Sequence, residues 1–153
     1  MLDDLDYKIL AFLQENSKLT IREIASQLHL STTPIFERIK RLEKSGVISK
    51  YVALLSAEKL EKNLVAFVDI SLKDHGKDAV EHFVNEIIKF SEVQECHHVT
   101  GQADIIIKVL LKNISEYNDF VLNKLSIVPN IGKLESRFSL SVRKNSTVID
   151  LNS

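Results

Sequence analysis

Apolar residues recur at helical spacing along the first third of the chain. Leu5, Ile9, Leu10 and Leu13 form one stripe, flanked by Ala11 and Phe12. Asp3, Asp4 and Asp6 stand at its start, where carboxylates meet the positive end of a helix dipole. Asn16-Ser17-Lys18-Leu19 interrupts the stripe. Thr20 followed by Glu23 has capping-box spacing and opens a second helix, with Ile21, Ile24, Ala25 and Leu28 as its apolar face. A tight connection through His29 and Leu30 leads to a third. Ser31 is placed to cap it, and Pro34 suits its first turn, where N–H groups have no intrahelical partner. Ile35, Ile39 and Leu42 share one face, and Gly46 ends the helix from the position just past its cap.

The pattern then changes. Val47 to Ser56 reads as extended, a wing or a connecting strand, and Ala57 to Asn63 as a hinge. Leu64–Leu72 (LVAFVDISL) reads as a strand, Lys73–Gly76 as a turn, and Asp78–Phe90 as a helix with Val80, Phe83, Val84, Ile87 and Ile88 inward. Val93–Thr100 and Ala103–Leu111 read as two strands joined at Gly101-Gln102. Ser115–Leu125 is a second helix, Pro129, Asn130 and Gly132 break the chain, and Leu134–Val142 alternates as a half-buried strand does. The order βαββαβ is the ferredoxin-like split unit, an antiparallel sheet with both helices on one face. The predicted fold is therefore α+β: a winged helix-turn-helix over residues 1–50, a linker over 51–63 and a ferredoxin-like domain over 64–153. The first and third strands are aliphatic at nearly every position, which predicts burial on both faces. The chain has no third layer to supply, so a second copy is expected on the open face, making a homodimer.

A hydrophobic fraction of 44% and a charged fraction of 27% are those of a folded globular chain. The single Cys excludes an internal disulfide and a Cys-based zinc site, and suits a reducing cytoplasm. No apolar run approaches the ~18–20 residues that span a membrane, and the acidic start is unlike a secretory signal. The expected location is cytoplasmic, with no membrane partner. A net charge of −1 opposes a uniformly basic nucleic-acid coat. Its distribution matters more. Between Ser31 and Lys50 five basic residues (Arg38, Lys40, Arg41, Lys44, Lys50) face two acidic ones (Glu37, Glu43), a local charge of +3 that leaves −4 on the rest.

A basic outer face is also what plain solvation gives an amphipathic helix. The ordered set of capped helix, short turn, polar first turn and basic flank favours a helix-turn-helix on double-stranded DNA. In that arrangement the second helix of the motif enters the major groove. Ser31, Thr32, Thr33 and Pro34 would approach base edges, and Arg38, Lys40, Arg41 and Lys44 would hold phosphates.

Other chemistry is sparse. Cys96, His97 and His98 suggest metal ligands, but adjacent strand side chains face opposite ways and nothing completes a zinc set. No metal or cofactor is expected, and Cys96 reads as a small buried residue. There is no Gly-rich phosphate loop, no Gly-x-Ser-x-Gly elbow and no evident triad, so no enzyme activity is expected. The turn Thr100-Gly101-Gln102-Ala103-Asp104 admits two readings. Its N–H groups and Asp104 suit the carboxylate and ammonium of a free amino acid; equally, Gly101 makes a tight hairpin that Asp104 caps.

Nearly the whole chain resembles the leucine-responsive regulatory protein / asparagine-regulator family of transcription factors, the feast/famine regulators. The resemblance rests on Leu2-Asp3-Asp4-Leu5-Asp6 with Ile9-Leu10, on the stretch Ser31-Thr32-Thr33-Pro34 to Arg38-Ile39-Lys40-Arg41-Leu42-Glu43, on Gly46-Val47-Ile48 and Tyr51, and on Glu95-Cys96 with Gly101-x-x-Asp104. It implies an N-terminal DNA-binding domain and a ferredoxin-like domain that dimerises through its sheets, often assembling into an octamer of four dimers. It also implies a small effector, usually an amino acid, bound between dimers. Carried over by position, Val99, Thr100, Gly101, Gln102 and Asp104 would line that site, with Ser136 and Arg137 near it. Ala103, Leu134, Ser136 and Arg137 depart from residues frequent in the family. Arg137 would favour an acidic ligand or serve as a surface ion-pair partner. Two rival functions accompany the same architecture. One is an enzyme resembling tetrapyrrole decarboxylases, hinted at only by His97, His98 and Arg137. The other is a low-specificity architectural DNA protein.

Overall fold

The computed structural model describes residues 2–151. Two compact units emerge: one comprises the chain up to Leu54 together with the segment from Lys144, the other Leu55–Arg143.

Three helices build the first unit: α1 (Asp4–Glu15), α2 (Ile21–Gln27) and α3 (Thr32–Lys44). Local chemistry fixes their ends. Asp3 caps α1 by accepting from the Leu5 and Asp6 N–H groups, and the Asp6 carboxylate accepts from the Asp3 N–H, closing a capping box. Thr20 and Glu23 do the same for α2. Ser31 sits at the cap of α3 but makes no side-chain cap bond. Between α2 and α3 the chain turns through His29 at φ 55°, and the Leu30 N–H donates to the Ala25 carbonyl at 2.9 Å. Gly46, at φ 75°, ends α3 with its N–H on the Glu43 carbonyl, a conformation that penalises any Cβ. Ile9, Leu10, Ile24, Ala25, Ile35 and Leu42 form the core. After α3 the segment expected to be a wing or strand forms no strand among the described residues: it bends at Val47 and Ile48, where the Ile48 N–H donates to the Leu42 carbonyl, and runs on without regular structure to Ser56.

The C-terminal segment belongs to this unit rather than continuing the sheet domain. Gln14 and Ile149 exchange two hydrogen bonds, at 2.8 and 3.1 Å, and Leu151 packs against the helical core.

The second unit opens with a short 3₁₀ turn at Glu58–Leu60 and then runs β1 (Leu64–Leu72), α4 (Lys77–Ile87), β2 (Val93–His98), β3 (Ile105–Leu111), α5 (Ile114–Asn123) and β4 (Ile131–Phe138). The sheet is antiparallel with order β2-β3-β1-β4, the ferredoxin-like topology expected. Strand alternation sends Ala66, Val68, Ile70 and Leu72, with Ile105, Ile107, Val109 and Leu111, to one face. Phe83 and Ile87 of α4 and Tyr117 and Phe120 of α5 cover it. The other face carries Val65, Phe67, Ile106 and Leu110, half-buried or exposed, among the ion pairs Arg137–Asp69 (2.6 Å) and Lys108–Glu95 (2.7 Å). Phe67 and Arg137 are register partners there. β4 differs from its expected span: it begins at Ile131 and ends at Phe138, leaving Leu140 fully exposed. Among the described residues no helix is long and apolar enough to cross a membrane.

Candidate DNA-reading helix and effector turn

Helix α3 presents three faces. Ile35 and Leu42 are buried, with Ile39 half-buried beside them. Thr33, Glu37, Lys40 and Lys44, at i, i+4, i+7 and i+11, lie on the outward stripe and are all exposed. Lys40 also lies over the Phe36 ring, 5.7 Å from its centroid. Ser31 and Thr32 are exposed at the N-terminus and Pro34 is half-buried.

Arg38 and Arg41 lie on the flank facing α1, and both are held by its acidic end. Arg38 Nη1 donates to Asp3 Oδ2 at 2.7 Å and to Asp6 Oδ1 at 2.8 Å. Arg41 Nη2 donates to both Asp6 oxygens, at 2.7 and 2.6 Å. Asp6 is 0% exposed, a buried carboxylate stable only because it is paired and hydrogen-bonded. Burial pushes its pKa up; the Asp3 N–H, the Arg38 hydrogen bond and the Arg41 charge pull it back and leave it below the ordinary value. The Arg38 hydrogen bond is the main cause of the lowered Asp3 pKa, and Arg38 is raised in turn by Asp3 and Asp6. Counted with Asp3 and Asp6, the +3 of this region falls to +1. Sequence reasoning placed the aspartates at the helix dipole but missed the ion cluster. Its partners lie 32 and 35 residues apart, beyond any local signal.

Val99, Thr100, Gly101, Gln102 and Asp104 lie on the turn between β2 and β3. Gly101 has φ 123° and no atom within 4 Å of where a Cβ would stand, so the backbone requires glycine and open space borders it. Asp104 is tied to the sheet. Its N–H donates to the Ile70 carbonyl at 3.0 Å, and its Oδ2 accepts from the Leu72 N–H at 2.8 Å. The other oxygen, Oδ1, faces His75 Nδ1 at 3.2 Å. The Ser71 hydroxyl donates to the Gln102 carbonyl. One Asp104 oxygen secures the turn, as the capping reading expected, and the other faces the exposed His75 side chain. His75 was not found from sequence because it comes from the β1–α4 turn.

Ser136 and Arg137 do not join this cluster within one chain. They are neighbours on a strand and so face opposite ways. Ser136 meets the Tyr117 hydroxyl on the helix side, and Arg137 pairs with Asp69 on the open side. Cys96 is half-buried against the core, and burial raises its pKa. His97 and His98 are exposed, His97 Nε2 lying 3.3 Å from Glu95. Among the described residues no three His, Cys, Asp or Glu converge on a metal position.

Comparison with known proteins places this geometry. A model of the Lrp/AsnC ligand binding domain matches residues 65–149, and one of winged helix-turn-helix DNA-binding domains matches residues 2–49. The chain belongs to the Lrp/AsnC family of transcriptional regulators. It is 35% identical over 147 residues to the HTH-type transcriptional regulator FL11 of Pyrococcus furiosus, covering 96% of this chain and 95% of that one. It is 32% identical over 151 residues to the DNA-binding transcriptional activator DecR of Escherichia coli, covering 99% of each. A transcriptional regulator from Neisseria meningitidis, solved in complex with L-Met, superposes with a TM-score of 0.93 at 36% identity, covering 99% of this chain and 98% of that one. For this Lrp/AsnC protein the relatives are regulators, not enzymes, which removes the tetrapyrrole-decarboxylase alternative. Two of its three hinted residues are paired, Arg137 with Asp69 and His97 with Glu95, and His98 is exposed.

Proposed function

We propose that the chain is a cytoplasmic, sequence-specific DNA-binding regulator that acts as a homodimer or an octamer of four dimers and responds to an amino-acid effector. The observation that carries the DNA half is the outward stripe of α3, with an exposed threonine at its N-terminal end and the exposed Lys40 and Lys44 along it. Ser31, Thr32, Thr33 and Pro34 approach bases; Lys40, Lys44 and Arg41 hold phosphates; Arg38 contributes behind them. Dimerisation is supported by the open sheet face, whose apolar residues no described helix of the sheet unit covers. The effector half rests on the open space beside Gly101 and on Asp104 Oδ1, which suits an ammonium group. A carboxylate would take the turn N–H groups. L-Met, bound by the Neisseria relative, is the first candidate.

The test is DNA binding by Lys40→Ala with Lys44→Ala, measured across salt concentrations. Each lost phosphate contact reduces the slope of log affinity against log salt by about 0.9. The double variant is expected to bind more weakly on every sequence, with a slope about two units shallower. Unchanged affinity and slope would remove α3 from the DNA interface.

A further inference from the structure

Asp6 has more contacts than helix capping requires. It is the one charged residue fully buried among the described residues. Its place on α1 is fixed locally, because its N–H donates to Asp3 Oδ1 at 3.0 Å and its Oδ2 accepts the Asp3 N–H at 3.1 Å. From that rigid base its carboxylate reaches across to two residues of α3, Arg38 and Arg41. Arg38 is 25% exposed and shared between two aspartates, so it acts as a strut. Arg41 is 54% exposed and spends only Nη2 on Asp6. A guanidinium carries five N–H donors in a planar fork, so one edge can grip Asp6 while another faces outward.

We propose that Asp6 is a positioning residue for DNA binding: it pins α3 through Arg38 and aims the free edge of Arg41 at a phosphate. The proposal rests on the reading that α3 lies against DNA. Its consequence runs against simple electrostatics. A carboxylate beside phosphates repels them, so its removal should tighten binding if only charge mattered. A positioning role gives the opposite sign, because an unpinned Arg41 must be ordered on binding.

The experiment compares Asp6→Asn, Asp3→Asn and Arg41→Ala in the full chain by salt-dependent binding to one duplex. Asp3→Asn removes the same charge from an exposed site and is expected to bind as well as the parent or better. Asp6→Asn is expected to bind more weakly, with the salt slope reduced by about one phosphate contact, 0.9 units. The double variant Asp6→Asn with Arg41→Ala should then bind about as Arg41→Ala alone does, since the loss through the Arg41 contact is counted once; losses that simply add would overturn the positioning role. Arg41→Lys, on an exposed side chain, serves if Asp6→Asn does not fold. It keeps the charge but loses the fork that grips Asp6 and a phosphate together, so weaker binding supports the proposal and unchanged binding overturns it. Equal or tighter binding by folded Asp6→Asn also overturns it. The Lys40 and Lys44 variant separates the two levels. If it too binds as the parent does, the reading of α3 fails; if it weakens while Asp6→Asn does not, only the positioning role fails.

Discussion

Arg38 shows how a residue can carry the right chemistry and be committed elsewhere. As a cation on the helix proposed to read DNA it looks available for phosphate, yet it secures the acidic end of α1. Removing one partner of a buried charge costs about 3–5 kcal/mol. Arg41 still serves Asp6, so Arg38→Ala is expected to destabilise the first unit by about 2–4 kcal/mol, against less than about 0.5 for the exposed Lys44→Ala. Denaturant melts would show this, and equal losses for the two would contradict it. The same cluster sets a pH dependence. Asp3 and Asp6 have folded pKa values below their ordinary ones. Unfolded aspartate titrates at about 3.9, so the ionic contribution is complete by about pH 5 and is lost as pH falls from there through the lower folded values. Thermal melts of the parent should drop below pH 4 more steeply than those of Asp3→Asn.

At the level of elements, local pattern carried most of the information. LVAFVDISL is a strand of the expected length because an apolar run is bounded on both sides by turn-forming residues. Thr20 and Glu23 form the expected box because both partners lie within one turn. The failures concern partners far away in sequence. β4 stops at Phe138, opposite Ala66, and beyond it only the Ser139 N–H reaches β1, at the Val65 carbonyl, so Leu140 stands clear of the sheet. The alternation of Leu140 and Val142 could not reveal that. It starts early, at Ile131, because β1 extends to Leu72 past a bulge at Ser71. The candidate site divides the same way. Gly101 and Asp104 were legible as one turn, whereas the opposed faces of Ser136 and Arg137, and the approach of His75, depend on which strand lies beside which. Caps offer a direct check. Thr20→Ala should cost the first unit about 1 kcal/mol, and Ser31→Ala, which loses no cap bond, close to nothing. Equal costs in denaturant melts would refute the difference.

On the scale of the molecule, the neutral average charge conceals a division of labour. The basic helix belongs to a small helical unit, whereas the sheet unit keeps one face open. The chain passes between the units near Leu54 and again near Arg143, so its last segment is built into the DNA-binding unit through Gln14 and Ile149. The open face mixes Val65, Phe67, Ile106 and Leu110 with two ion pairs. That composition suits a partner surface better than solvent. Phe67→Arg places a second cation opposite Arg137 and is expected to convert dimers into monomers by sedimentation. A dimer of unchanged stability would exclude this face.

The central claim, a DNA-sequence reader under amino-acid control, is tested most directly by one binding measurement. A duplex selected by the full chain from a random pool is compared with random duplex at fixed salt, with and without L-Met, for the parent and for Asp104→Asn. Asparagine keeps a carbonyl for the Leu72 N–H and loses only the charge. The account predicts a preference for the selected duplex of about 10³ or more, shifted by L-Met in the parent and not in Asp104→Asn. Equal affinity for selected and random duplexes would contradict it.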